Sequence, residues 1–251
     1  MRKFVLSTLL IAGLPVTASA ADNFASCAQD VSASQKLAGC SSLIAANPRL
    51  AAAYSSRGNA LAALGQPQRA LVDYTQAIAL DPQLGIAYYN RGLAYLAEGQ
   101  AEAAVADFSH AIALDATDAT AFNGRAMANA ALAKFDEAEA DFAKAVALDP
   151  NYARAYLSRG ALNLRRGRMD QALVDFESVL RIHPDDRDAL EGRAIASSTA
   201  APQDGAVTGS IDPMHPATLA TRLHRHVAKK HRVSHQAVEY DNPDSHIVLN
   251  H

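Results

Sequence analysis

The sequence predicts an all-α fold: a solenoid of helical hairpins stacked one upon the next, with a cap at each end. Three observations predict it. The first is a period of thirty-four residues, in which Tyr54, Tyr88, Phe122 and Tyr156 share one place and Arg57, Arg91, Arg125 and Arg159 another. Ala70, Ala104, Ala138 and Ala172 share a third place, followed by Tyr74, Phe108, Phe142 and Phe176. A fixed period of this length marks an array of stacked supersecondary units. The second observation is the pattern inside one period. From Ile86 to Leu96 the residues Tyr88, Tyr89, Leu93, Tyr95 and Leu96 recur at helical spacing. Glu98-Gly99-Gln100 then interrupts the helix, with glycine where a C-terminal cap needs positive φ. A second, alanine-rich helix follows over Ala101–Leu114. The third observation is the placing of small residues. Gly92, Ala104 and Ala111 let the two helices approach while Tyr88 and Phe108 supply bulk. One such hairpin cannot bury its own apolar face, so it must stack on neighbours.

In chain order, residues 1–20 read as a secretory signal peptide: Arg2 and Lys3, an apolar run from Phe4 to Leu14, then the small residues Ala18-Ser19-Ala20 before a cut at Ala21. The alternative, a retained anchor helix, is disfavoured because the run is short for a membrane span. The mature protein is therefore expected in the periplasm or secreted. Residues 21–50 read as an N-terminal cap. Cys27 and Cys40 are the only cysteines, and in an oxidising compartment the default expectation is a disulfide between them. The period sharpens this, since Cys27 falls at the place of Leu61 and Tyr95 and Cys40 at that of Tyr74 and Phe108, across one hairpin. A redox-active pair is the other reading; the spacing is not CxxC and no base adjoins. Ser32 and Gln35 have the spacing of a capping box for a helix ending near Asn47-Pro48.

Four full units follow at 51–84, 85–118, 119–152 and 153–186, and a helix over 187–199 closes the domain 51–199. Leu190 falls in the aromatic place and Arg193 in the arginine place, with no second helix behind them. Residues 200–216, rich in Ser, Thr, Gly, Ala and Pro, read as a linker. Residues 217–251 form a basic, His-rich tail, helical in part or disordered, with Leu219, Leu223 and Val227 at helical spacing.

The thirty-four-residue hairpin with these landmarks closely resembles the tetratricopeptide repeat, in an exported bacterial form. The resemblance covers residues 21–198 and implies a right-handed solenoid that binds a peptide or partner protein in a concave groove lined by the first helix of each unit. Carried onto this chain, the inner stripe includes Asn59, Tyr89, Asn90, Leu93, Asn123, Met127, Arg154 and Leu157. Tyr89, Leu93, Met127 and Leu157 would form an open apolar cluster, of the kind that marks contacts. Members of the family that grip a C-terminal carboxylate do so with lysines and asparagines. Here Asn59 and Asn90 stand at asparagine places, whereas Ser55, Thr120 and Gly124 stand at cationic ones, so a carboxylate clamp is not expected. An amphipathic helix or extended apolar peptide suits such a stripe better.

The arginines and the recurring Asp73, Asp107, Asp141 and Asp175 admit two readings: a basic groove, or internal pairs that hold the stack in register. A partly buried charge needs a partner, which favours the pairs. In the tail His224, His226, His231 and His235 could bring two imidazoles to one face, a weak basis for a metal site, and the same segment could touch an anionic envelope surface. That surface contact is the alternative function. No nucleophile elbow, phosphate loop or isolated carboxylate pair appears, so no enzyme, cofactor or metal is expected. From Ala21 to Thr199 there are 16 basic and 21 acidic residues, which disfavours nucleic acid as a partner.

Overall fold

The computed structural model describes residues 25–27 and 31–200. The signal-peptide, linker and tail readings, His224, His226, His231 and His235 included, lie outside the described residues. Among the described residues the ordered elements are helices: α1 (Ala33–Ala46), α2 (Ala51–Ala63), α3 (Pro67–Leu80), α4 (Gly85–Ala97), α5 (Ala101–Leu114), α6 (Ala119–Ala131), α7 (Phe135–Leu148), α8 (Ala153–Arg165), α9 (Met169–Ile182) and α10 (Arg187–Ala200). They pair as α2–α3, α4–α5, α6–α7 and α8–α9, here hairpins 1 to 4. The chain is an all-α solenoid with α1 before the first hairpin and α10 after the last.

Local chemistry sets the boundaries. Ser32 caps α1, its hydroxyl accepting from the Gln35 backbone N–H while the Gln35 side chain accepts from the Ser32 N–H. Pro67 opens α3 at a position whose N–H has no intrahelical partner to lose. The Asp118 carboxylate accepts from the Thr120 N–H at the start of α6. Gly65, Gly99 and Gly167 turn the chain between paired helices with φ of 74°, 76° and 72°, and Ala133 takes the equivalent place at φ 59°. That alanine sits in the left-handed region, which an L side chain tolerates poorly; nothing in the period distinguishes it from the glycines except the residue itself.

The aromatic places fill the seams. Phe108 packs against Gly92 of its own hairpin and Gly124 of the next, where an added Cβ would come within 3.0 and 2.6 Å of the ring. Phe176 meets Gly160 and Gly192 in the same way. First helices of successive hairpins touch one another, and each second helix packs on the first helix of the next hairpin. The first helices therefore pack more closely than the second helices do, which puts them on the inner side of the curve.

Cys27 and Cys40 are bonded, with Cα atoms 4.7 Å apart, inside the usual span for a disulfide. Both are buried with Ile44 and Ala53, so the bridge ties the segment before α1 to α1 and this cluster rests on α2.

Candidate functional site

Each ladder arginine meets the aspartate sixteen residues on. Arg57 Nε and Nη2 donate to the two oxygens of Asp73 at 2.7 and 2.8 Å. Arg91 holds Asp107 and Arg125 holds Asp141 with both bonds at 2.8 Å. Arg159 Nη2 donates to Asp175 at 2.6 Å. The forked, charge-assisted geometry is the strong form of this contact. Each guanidinium also lies 5.4–5.8 Å from the aromatic ring one turn earlier, that of Tyr54, Tyr88, Phe122 or Tyr156. Hydrogen bonding to the aspartates pushes Arg57, Arg91 and Arg125 further into the charged range.

These pairs join the two helices of one hairpin, which corrects the expectation that they chiefly hold neighbouring hairpins in register. Contact with the preceding hairpin is a lesser arm: Arg91 Nη1 donates to Thr75 at 3.2 Å and Arg125 Nη1 to Ser109 at 3.3 Å. In α10 the equivalent Arg193 is exposed, because no second helix follows it among the described residues.

The inner stripe is closed more tightly than its sequence implies. Tyr89, Leu93, Met127 and Leu157 are all buried, between 5 and 8 % exposed, so the expectation of an open apolar cluster is corrected. The cause is the run of small residues around them, Gly92 and Ala94 on α4, then Ala126, Ala128 and Ala130 on α6, which brings successive first helices together. Tyr89 leans on Phe108, with ring centroids 5.7 Å apart. Burial pushes its phenol up to about 12, against the opposing pull of Arg154 and a hydrogen bond with Thr120. Burial likewise pushes Tyr152 up, with the Tyr89 phenol next in effect. Arg154, half-buried on α8, thus lies within electrostatic reach of both tyrosines. Asn59 on α2 is engaged elsewhere, its Oδ1 accepting from the Tyr74 hydroxyl at 2.8 Å.

The polar members of the stripe behave differently. Asn90 Nδ2, Asn123 Oδ1, Ser158 Oγ and Asn163 Oδ1 are buried and have no hydrogen-bond partner among the described residues. Among the described residues the Asn123 amide nitrogen meets only a weak acceptor, Met127 Sδ at 3.7 Å. Buried polar groups are nearly always satisfied, so such atoms on three successive first helices, α4, α6 and α8, call for an explanation. Ser158 was not among the residues singled out in the sequence. Its signal was present, since it occupies the place of Asn90 two periods on, with Gly124 between them.

No group of three or more His, Cys, Asp or Glu able to hold a metal occurs among the described residues. No helix among them is long and apolar enough to cross a membrane.

Repeat families match along the solenoid. One described as TPR repeat matches residues 58–99, and two described as tetratricopeptide repeat match residues 86–118 and 123–187. The chain belongs to the tetratricopeptide-repeat family. Solved structures with similar folds include MamA of Desulfovibrio magneticus, 23 % identical over 64 % of this chain and 91 % of that one, with a TM-score of 0.57. A thermophilic tetratricopeptide-repeat protein of Thermus thermophilus is 24 % identical over 66 % of this chain and 91 % of its own, with a TM-score of 0.58. YrrB, described as a tetratricopeptide-repeat protein with an unusual peptide-binding site, is 21 % identical over 78 % and 95 %, with a TM-score of 0.53. At these identities the likeness is one of fold. No curated protein matches the chain.

Proposed function

We propose that this tetratricopeptide-repeat solenoid is an exported interaction scaffold that binds a peptide segment of a partner protein along its inner face. The observation that carries the proposal is the row of unpaired polar atoms, Asn90 Nδ2, Asn123 Oδ1 and Ser158 Oγ, on three consecutive first helices. Unpaired donors and acceptors of this kind can be satisfied by the N–H and C=O groups of an extended chain supplied by a partner. Each asparagine amide reaches the ligand by turning about its terminal torsion, which is broad and cheap to move. The half-buried residues Ile86, Leu96 and Thr120 on α4 and α6 would flank the bound segment. Export rests on the leader reading of residues 1–20, and the Cys27–Cys40 bridge is of the kind found in oxidising compartments.

Peptides selected on the immobilised full chain from a random displayed library supply the test. Binding is expected to survive amidation of the peptide C-terminus and to depend weakly on salt, because the inner face lacks a pair of cations placed to hold a carboxylate. Steep salt dependence would move the contact to the basic C-terminal segment, the alternative envelope-surface function.

A further inference from the structure

The outer side of the solenoid carries a cleft of about 460 Å3 between hairpins 3 and 4, whose lining includes Ala143, Arg159, Asn163, Asp170, Gln171 and Val174. Two small-for-large exchanges within the period coincide with it. The hydroxyl that the preceding hairpin offers the ladder arginine, Thr75 for Arg91 and Ser109 for Arg125, is missing at this level because Ala143 stands in its place. Arg159 Nη1 consequently makes no hydrogen bond within the described residues, while Nε and Nη2 remain on Asp175. The second exchange is at the place of Tyr95. In hairpin 2 that ring lies 5.9 Å from the Arg91 guanidinium; in hairpin 4 the residue is Asn163. Asn163 is 3 % exposed. Its Nδ2 donates to Asp175 at 3.1 Å, which leaves Oδ1 as a buried acceptor with no donor among the described residues. The cleft thus has apolar surface from Ala143 and Val174, the carboxylates of Glu139 and Asp175, an arginine with the Tyr156 ring but without the second ring that Arg91 has, and an acceptor lacking a donor among the described residues.

We infer that this cleft receives the side chain of a tyrosine presented by a partner peptide, with its ring over Arg159 and its hydroxyl donating to Asn163 Oδ1. Hairpin 2 supplies the template: a phenol already occupies the corresponding space there, in cis. A phenylalanine would fill the same space and leave the acceptor unpaired, which is why a ring bearing a donor is favoured. Burial pushes the Asp175 carboxyl up, against the pull of Arg159 and Asn163. The site lies on the side opposite the inner stripe and does not depend on the function proposed for that stripe.

The test is a titration of the isotope-labelled full chain, followed by nuclear magnetic resonance, with N-acetyl-tyrosinamide and then N-acetyl-phenylalaninamide. Saturable shifts of the Asn163 side-chain amide and the Arg159 Nε–H are expected with the tyrosine compound, and several-fold weaker binding with the other. Asn163→Tyr installs the residue of hairpin 2 and fills the cleft; it should retain the parent's melting temperature and abolish the shifts. Ala143→Ser returns the missing hydroxyl to Arg159 without altering the core and should weaken binding several-fold, so it serves even if Asn163→Tyr does not fold. Shifts that fail to saturate, that fall instead on Asn90 and Ser158, that are equal for both compounds, or that persist in Ala143→Ser would overturn the assignment.

Discussion

At the scale of single residues, the ladder shows how a charge is kept inside an alanine-rich stack. The Asp107 side chain is 4 % exposed, and its two oxygens are held by Arg91 at 2.8 Å. Arg91→Ala leaves that carboxylate buried and unpaired, and should lower unfolding free energy by roughly 3 kcal/mol in urea titrations. The pairing was legible from sequence, because the spacing within each period puts one arginine and one aspartate on facing helices. The burial of Tyr89 was not, because it depends on how closely successive hairpins approach. Burial pushes its phenol up to about 12, from an ordinary 10.0. A raised folded value means that the contribution is fully present below pH 10 and is lost as pH rises through 12, an effect of about 3 kcal/mol. Circular dichroism should show alkaline unfolding in that window, and Tyr89→Phe should unfold less steeply there than the parent.

At the scale of elements, the period located all four hairpins, since helix starts, glycine turns and aromatic seams repeat with it. Its blind spot is departure from the repeat. Ala133 adopts φ 59° where three glycines adopt 72–76°, so Ala133→Gly should raise stability by about 1 kcal/mol, measured as an upward shift in melting temperature. A loss of stability would show that the turn between α6 and α7 is not strained. Leu157, read from sequence as an open groove residue, packs in a core cluster with Met127, Ala161 and Phe176. Leu157→Ala should therefore cost about 2–5 kcal/mol of stability whether or not a ligand is present. Sequence periodicity assigned Leu157 to the correct helix, but whether that place is surface or seam is decided by the alanines and glycines of the neighbouring helix.

At the scale of the whole molecule, the described solenoid runs from the Cys27–Cys40 bridge at one end to the single helix α10 at the other. Replacing Cys27 and Cys40 with serine should lower stability by about 3 kcal/mol in the chain-entropy account, and the parent should show no free thiol when unfolded without reductant. Between those ends, the proposed function requires that Asn90 and Ser158 be held buried, with Asn90 Nδ2 and Ser158 Oγ unpaired, for a ligand rather than for the fold. Their replacement separates the two possibilities, because removing an unsatisfied buried group costs little stability while removing a satisfied one costs about 1–3 kcal/mol. The decisive measurement is calorimetric titration of a library-selected peptide into the Asn90→Ala/Ser158→Ala double variant, with the melting temperature taken on the same sample. The account predicts a melting temperature equal to or above the parent's and an affinity at least about tenfold weaker, equivalent to 1.4 kcal/mol. Unchanged affinity, or a fall in melting temperature that accounts for the loss, would contradict it.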